Sequence, residues 1–160
     1  MLNVKIYVTG TLKEQYYKDA IAEYKKRLGA YCKLDIIEYK EFKLPENPSE
    51  KQIEQALISE GQKILSDISP RAYKIAMCVE GKQLSSEELA AKISEVTTLG
   101  KSEICFIIGS SFGLAPSVKQ RADYKLSISK LTFPHQLLRV ILYETTYRSL
   151  SIVNGTKYHK

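Results

Sequence analysis

Apolar and polar residues alternate along the chain with two different periods, one typical of strands and one typical of helices. In NVKIYVTG, the apolar residues Val4, Ile6 and Val8 share one face, which predicts a β-strand. Further strands are predicted at CKLDIIEY, YKIAMCVEG, EICFII and YKLSI. EICFII is continuously apolar, which is typical of a strand that is buried on both faces.

The segments between the predicted strands place their apolar residues at helical spacing. Thr11 with Glu14, and Ser85 with Glu88, have the spacing of a capping box, which predicts a helix start at each pair. Three more helices are predicted at SEKQIEQALISEGQKIL, PSVKQR and PHQLLRVILYETTYRSLSI. This alternation predicts an α/β fold with a mostly parallel sheet and helices on both faces, in a single domain over residues 1–160.

The final predicted helix is apolar around more than one face. Its apolar residues are nearly consecutive: Leu137, Leu138, Val140, Ile141, Leu142 and Tyr143. One face can cover the sheet, and the other needs a second burial surface. We therefore expect a homodimer, since a second copy is the commonest partner of a small chain. A fully buried helix in a monomer is the alternative.

Composition narrows the class of protein only a little. The net charge of +6 favours a polyanionic partner. Cys32, Cys78 and Cys105 show no CxxC spacing, and with only two histidines the chain predicts no metal site. We interpret Cys78 and Cys105 as small core residues. No signal peptide or membrane-spanning run is recognisable, so we expect a cytoplasmic location and no membrane partner.

Two polar loops follow predicted strands and are candidates for a ligand site. Gly109 and Gly113 come directly after EICFII, and the segment 129–133 leads from the last strand to the final helix. Ligands of α/β proteins bind beyond the carboxyl ends of strands. The spacing GSSFG matches neither a dinucleotide fingerprint nor a Walker A loop. A tight turn into a helix is the alternative interpretation of the glycines.

The longest motifs resemble those of SPOUT methyltransferases, and more narrowly those of the RlmH family. The resemblance rests on FIIGSSFGL and LSISKLTFPHQLLRVILYETTYRSLSIVNGTKYHK, and extends to GTLKEQYYKDAIAEYKKRL and EGKQLSSEELA. It implies a homodimer with a C-terminal trefoil knot, approximately over residues 72–160. It also implies methylation of N3 of a pseudouridine in 23S ribosomal RNA, on the assembled ribosome, with S-adenosyl-L-methionine as methyl donor.

The resemblance also implies two sets of site residues. The cofactor contacts fall on Met77, Gly109, Ile128, Ser129, Lys130, Leu131, Thr132 and Phe133. The catalytic set falls on Arg148, His159, Tyr158 and Glu144. We expect His159 to accept a proton and Arg148 to clamp the base or a phosphate. Tyr158 would position the base and Glu144 would hold Arg148. A simple i,i+4 salt bridge is the alternative for Glu144 and Arg148.

Several expectations from this resemblance stay open at the level of sequence. Relatives commonly have glycine where this chain has Ser110 and a polar residue where it has Phe112, which leaves the shape of the turn open. We interpret His135 as mainly structural. Five basic residues are expected to meet RNA phosphates: Lys130, Arg139, Arg148, Lys157 and Lys160. The alternatives are a SPOUT enzyme for another RNA, such as tRNA, or a non-enzymatic, ribosome-associated RNA-binding protein.

Overall fold

Five strands and five helices alternate along the chain in the computed structural model, which describes all of residues 1–160. The strands are β1 (Leu2–Thr9), β2 (Cys32–Tyr39), β3 (Tyr73–Lys82), β4 (Glu103–Ile108) and β5 (Tyr124–Leu126). The helices are α1 (Gln15–Leu28), α2 (Glu50–Asp67), α3 (Ser86–Thr98), α4 (Pro116–Arg121) and α5 (His135–Val153). Each predicted element is present, in the predicted order.

All strands belong to one sheet with the order β2-β1-β4-β3-β5. Every pair of neighbouring strands is parallel, so the predicted parallel sheet is confirmed. In the central register, Val4 lies opposite both Leu34 of β2 and Ile104 of β4. Because parallel strands end at the same edge, the loops that follow them gather on one side of the molecule.

Helices cover both faces of the sheet, as predicted. On β1, Val4, Ile6 and Val8 pack into one core with residues of α1, α3 and α5. Tyr7 points to the other face, into a smaller core with α2 and α4. β4 is buried along both faces, which explains its continuous apolar run.

The helix starts confirm one predicted capping box and correct the other. Ser85 and Glu88 exchange side-chain and backbone hydrogen bonds at the start of α3. α1 instead begins at Gln15, and its N-cap Glu14 makes no side-chain cap, so the capping box at Thr11 was wrong. The segment before α1 is held by tertiary contacts, because Leu12 packs against the core and the Lys13 amide donates to Gln136 Oε1 at 3.0 Å.

The cysteines are free thiols in different surroundings. Burial raises the pKa of Cys32 to about 11 and that of Cys105 to about 12, so both thiols stay protonated and act as packing residues. Cys78 is only half-buried, which corrects its interpretation as a core residue. No cluster of three or more His, Cys, Asp or Glu side chains is placed to hold a metal ion. None of the helices combines the length and apolarity needed to cross a bilayer.

Candidate active site

A cleft of about 520 Å³ opens where β3 and β4 separate at the carboxyl edge of the sheet. The pairing of β3 with β4 ends at Ala76 and Ile107. On its other side, β3 bulges away from β5, since Met77 and Lys82 both pair with Leu126. The parting strands leave a space that the loops after β4 and β5 enclose. The two loops that the sequence indicated therefore line one cleft.

The loop after β4 folds back on itself so closely that it has no room for a side chain at Gly109. A Cβ on Gly109 would lie 2.5 Å from the carbonyl carbon of Gly113 and closer still to its oxygen. Gly113 has φ of 89°, and its amide donates to the Ser110 carbonyl at 2.9 Å. Both glycines are thus required by the backbone, and the turn brings bare backbone to the cleft wall.

Two serine hydroxyls shape the loop after β5. Ser127 Oγ donates to the carbonyl of Ser129 at 2.9 Å, and the Leu131 amide donates to Ser129 Oγ at 3.0 Å. The Ser127 amide still donates to the Lys82 carbonyl of β3 at 3.0 Å, and beyond it these bonds replace the strand ladder and turn the chain towards α5. The loop presents Ile128, Ser129 and Thr132 to the cleft.

The expected cofactor residues are brought together by the fold, with one exception. Met77, Gly109, Ile128, Ser129, Leu131, Thr132 and Phe133 all line the cleft. Lys130 is exposed and does not line it. Met77 is buried and contributes to both the core and the cleft wall. The cleft therefore combines apolar walls with hydroxyl and backbone groups.

Several cleft residues were missed from the sequence, among them Cys78, Glu80, Lys119 and His135. Glu80 forms an ion pair with Lys119 of α4, and this contact lowers the pKa of Glu80. The available signal was Gly81, since a lone glycine in a strand pattern suggests a bulge. A Cβ on Gly81 would lie 2.8 Å from the backbone of Lys125 and Leu126. His135, interpreted as mainly structural, lies in the cleft wall.

The predicted catalytic residues form a second cluster at the C-terminal half of α5 and the tail that follows it. Arg148 Nη2 and Nε bond to Glu144 Oε1 at 2.5 Å and 3.0 Å, which confirms the expected pair. The tail folds back onto this pair through a Schellman turn, in which Gly155 and Thr156 donate to the carbonyls of Ile152 and Ser151.

Tyr158 contacts both members of the Glu144–Arg148 pair. Its hydroxyl donates to Glu144 at 3.2 Å, and its ring lies 4.7 Å from the Arg148 guanidinium carbon. Partial burial, reinforced by a hydrogen bond to Tyr24 and by the Glu144 charge, raises the pKa of Tyr158 to about 12. The phenol is therefore a hydrogen-bond donor at neutral pH.

His159 bridges two helices through its two ring nitrogens. Nδ1 lies 3.2 Å from Arg148 Nη1, and Nε2 lies 2.7 Å from Glu87 Oε1 of α3. Because a guanidinium can only donate, Nδ1 is the acceptor and Nε2 carries the proton towards Glu87. The hydrogen bond to His159 lowers the pKa of Glu87. The tail is thus anchored, with one imidazole lone pair turned to Arg148.

Within one chain the predicted catalytic cluster and the cleft are separated. Arg148 lies about 15 Å further along α5 than Leu138, the last residue of this helix that lines the cleft, at 1.5 Å rise per residue. The fold brings Glu144, Arg148, Tyr158 and His159 together, and it brings the cofactor residues together. It does not join the two groups within a single chain.

Arg139 corrects one expectation about RNA phosphates. It is only 2% exposed, and its guanidinium binds Glu38 Oε2 at 3.2 Å and the Gly10 carbonyl at 2.9 Å. Arg139 joins α5 to β2 and to the loop after β1, because a buried guanidinium needs internal hydrogen-bond partners. Lys130, Lys157 and Lys160 remain exposed.

Comparison with known proteins identifies the family. The family model described as "Predicted SPOUT methyltransferase" matches residues 2–159. Proteins named ribosomal RNA large subunit methyltransferase H, from Bacillus pumilus and Clostridioides difficile, are each 52% identical over 99% of this chain and their own full length. The protein of that name from Limosilactobacillus reuteri is 47% identical over the same shares.

A solved structure agrees on the fold. The probable methylase family protein from Haemophilus influenzae Rd KW20 superposes with a TM-score of 0.54 at 14% identity, over 99% of this chain and 71% of that one. At that identity the likeness concerns architecture alone. The sequence matches over nearly the whole length carry the assignment: the chain belongs to the SPOUT methyltransferase family, in the group of the ribosomal RNA large subunit methyltransferases H.

Proposed function

We propose that this protein methylates N3 of a pseudouridine in 23S ribosomal RNA on the assembled cytoplasmic ribosome, with S-adenosyl-L-methionine as donor. The observation that carries the proposal is the cleft, because nearly all residues expected to hold the donor line one space at the carboxyl edge of the sheet. Family membership and the names of the relatives supply the reaction class and the RNA.

The cleft fits S-adenosyl-L-methionine, which SPOUT methyltransferases in general use. Its volume of about 520 Å³ lies within the range of small-molecule sites. At Gly109 and Gly113 no side chain stands between a ligand and the backbone. When bound, the donor supplies an electrophilic methyl group on a sulfonium. Met77 and Ile128 offer apolar walls for an adenine, while Ser129 and Thr132 offer polar contacts.

The tail residues are suited to prepare the attacking nitrogen. N3 of a pseudouridine carries a proton that must leave before or during methyl transfer. In the proposal, His159 Nδ1 accepts that proton once the base takes the place of Arg148 beside it. Arg148, held by Glu144, stabilises the negative charge that develops on the base carbonyl. Tyr158 orients the base through its hydroxyl and ring.

A homodimer reconciles the distance between the cleft and the tail. One face of α5 remains partly exposed, along Leu137, Ile141, Glu144 and Arg148. Leu137 and Ile141 belong to neither core, so this face is open to a second copy. In an antiparallel pairing of two α5 helices, Leu137 faces the partner's Arg148 and Ile141 faces the partner's Glu144, because both pairs share one midpoint. Each tail then reaches the partner's cleft.

We also propose that residues 72–160 form the trefoil knot of the family. Family membership supports the threading, and so does the meeting of the two loops after β4 and β5 at one cleft. A crystal structure with continuous density from Tyr73 to the end of α5 tests it. A trace in which α5 passes outside the loop between β4 and β5 would rule the knot out.

The test of function uses ribosomal RNA from a strain that lacks the protein. Mass analysis of its large-subunit RNA should show one pseudouridine without its N3 methyl group. Purified protein with S-adenosyl-L-methionine should restore that group on 70S ribosomes. Unchanged ribosomal RNA together with a methyl group lost from tRNA would assign the enzyme to tRNA. Absence of donor binding by calorimetry, in folded protein, would leave a non-enzymatic RNA-binding protein.

A further inference from the structure

Two exposed aromatic side chains beside the cleft have no role in the mechanism above. Phe42 is 49% exposed and follows β2, and Phe112 is 46% exposed and follows β4. Phe112 lies on the rim of the cleft. Both follow parallel strands, so both lie at the carboxyl edge of the sheet. Large apolar side chains held in water at a functional edge indicate a contact surface.

The loops that carry the two rings are hydrogen-bonded to each other. Ser111 Oγ donates to Glu41 Oε1 at 3.2 Å, one residue away from each phenylalanine. Glu60 of α2, which is only 9% exposed, holds the first of these loops. Its carboxylate accepts the Phe42 amide at 3.3 Å. Phe42 is thus fixed through its backbone, and the Glu41–Ser111 hydrogen bond ties its loop to the loop of Phe112.

This arrangement holds the rings in place before any partner arrives. Phe42 is flanked by Lys40 and Lys43, both exposed, while the carboxylate of Glu41 is engaged by Ser111. Flat apolar faces between cations match an unpaired nucleotide, whose base stacks while its phosphate meets a lysine. The chain's net charge of +6 likewise favours a negatively charged partner such as RNA.

We propose that loops 40–43 and 110–112 form one RNA-docking rim, in which Phe42 and Phe112 stack on unpaired bases next to the target nucleotide. This rests on the proposed function, because the target must reach the methyl donor in the adjoining cleft. The rim selects the substrate: a nucleotide in a loop can splay its neighbours onto the rings, whereas a base within a helix cannot. Phe42 and Phe112 are positioning residues, since they touch flanking bases.

Kinetics of alanine variants separate RNA docking from donor binding. Phe42→Ala and Phe112→Ala should each raise KM for 70S ribosomes at least about fivefold, with the calorimetric affinity for S-adenosyl-L-methionine unchanged. Phe42→Tyr and Phe112→Tyr should restore KM, because a phenol stacks as well. Leu99→Ala is the matched control, since Leu99 is exposed at the other end of the molecule, just before β4. If Phe112→Ala weakened donor binding as much as KM, Phe112 would belong to the donor site and the rim would be wrong.

A second readout needs no turnover. The chain contains no tryptophan, so Phe42→Trp, Phe112→Trp and Leu99→Trp each create a single fluorophore. Ribosomes should quench the fluorescence of Phe42→Trp and Phe112→Trp through base stacking. The fluorescence of Leu99→Trp should fall only as much as light absorption by the ribosomes accounts for. Equal signals from all three would overturn the rim. Quenching without any methylation by the wild-type protein would refute the proposed reaction and retain RNA docking, so the two failures are distinguishable.

Discussion

Gly109 is the residue whose replacement tests the cleft most directly. A Cβ at this position would collide with the backbone of Gly113, which no rotamer change can relieve. We expect Gly109→Ala to cost about 1–3 kcal/mol of stability and to weaken binding of S-adenosyl-L-methionine by at least about tenfold, equivalent to ~1.4 kcal/mol. Calorimetry and urea unfolding measure the two effects.

Gly100→Ala is the control for that substitution. Gly100 has φ of 87°, yet a Cβ there would meet nothing within 4 Å. It should lose about 1–2 kcal/mol through backbone strain alone, with donor binding intact. Equal losses of binding in both variants would show that the effect of Gly109 is general instability.

Ser110 shows how a single residue can differ from the family pattern without strain. The only residues with positive φ are glycines, so Ser110 adopts an ordinary backbone conformation. Its hydroxyl accepts the Phe112 amide at 3.4 Å, which a glycine could not do. The doubt about this turn that arises from the sequence is therefore resolved: the position whose positive φ requires a glycine is Gly113.

Glu60 should make stability depend on pH in an identifiable way. Burial raises the pKa of Glu60, so the folded chain keeps a proton that the unfolded chain has released. The free energy of unfolding must then fall as pH rises from the unfolded glutamate value, about 4.3, through the raised folded pKa.

Glu60→Gln keeps the side-chain shape without titrating. Its advantage over the wild-type chain should grow with pH across that window and level off above it, in urea unfolding at a series of pH values. A difference that stays constant with pH would contradict this account of Glu60.

At the scale of elements, the helix starts allow capped and uncapped positions to be compared. Ser49 and Ser85 cap α2 and α3 through complete capping boxes, whereas Thr11 caps nothing. Ser49→Ala and Ser85→Ala should each lower the free energy of unfolding by about 1 kcal/mol. Thr11→Ala should change it by less than about 0.5 kcal/mol, as an ordinary surface substitution. Denaturant titration measures these changes. A loss of about 1 kcal/mol in Thr11→Ala would show that Thr11 does cap α1.

At the scale of the whole molecule, the open face of α5 is the interface of the proposed dimer. Ile141 lies at the middle of that face and belongs to neither core. Ile141→Lys should convert the proposed dimer to monomer in sedimentation experiments, because it replaces an apolar contact with a buried ammonium facing the partner's Glu144, whose carboxylate is already paired with Arg148 of its own chain. Ile58→Lys, at an exposed site on α2, should remain dimeric. A dimeric Ile141→Lys protein would place the interface elsewhere.

A composite site makes a further prediction for mixed dimers. His159→Ala alone should keep donor binding and lose about 10²–10⁴ in turnover, and Gly109→Ala should lose donor binding. If each tail serves the partner's cleft, a dimer with one subunit of each type has one intact site and regains activity after mixing and refolding. If tail and cleft act within one chain, every site in the mixture carries a defect and no activity returns.

Much of the fold follows from local patterns in the sequence. The bounds of β2, β4 and α4 were predicted to the residue, because turn residues and periodicity coincide there. The same local logic failed at Thr11, where tertiary contacts of Leu12 and Lys13 outweigh a cap worth about 1 kcal/mol. It also placed Arg139 among the RNA contacts, since charge alone does not reveal burial.

The amino-acid sequence by itself determined the alternation of strands and helices, the two loops that meet at the cleft, and the family. These depend on residues close together in the chain, whose spacing sets their shared faces. Only the tertiary structure decided that β3 bulges and parts from β4, that Glu41 and Ser111 tie two loops together, and that Arg148 lies about 15 Å beyond Leu138, the last cleft residue on α5. Such features depend on which distant segments pack together, and no local pattern encodes that choice.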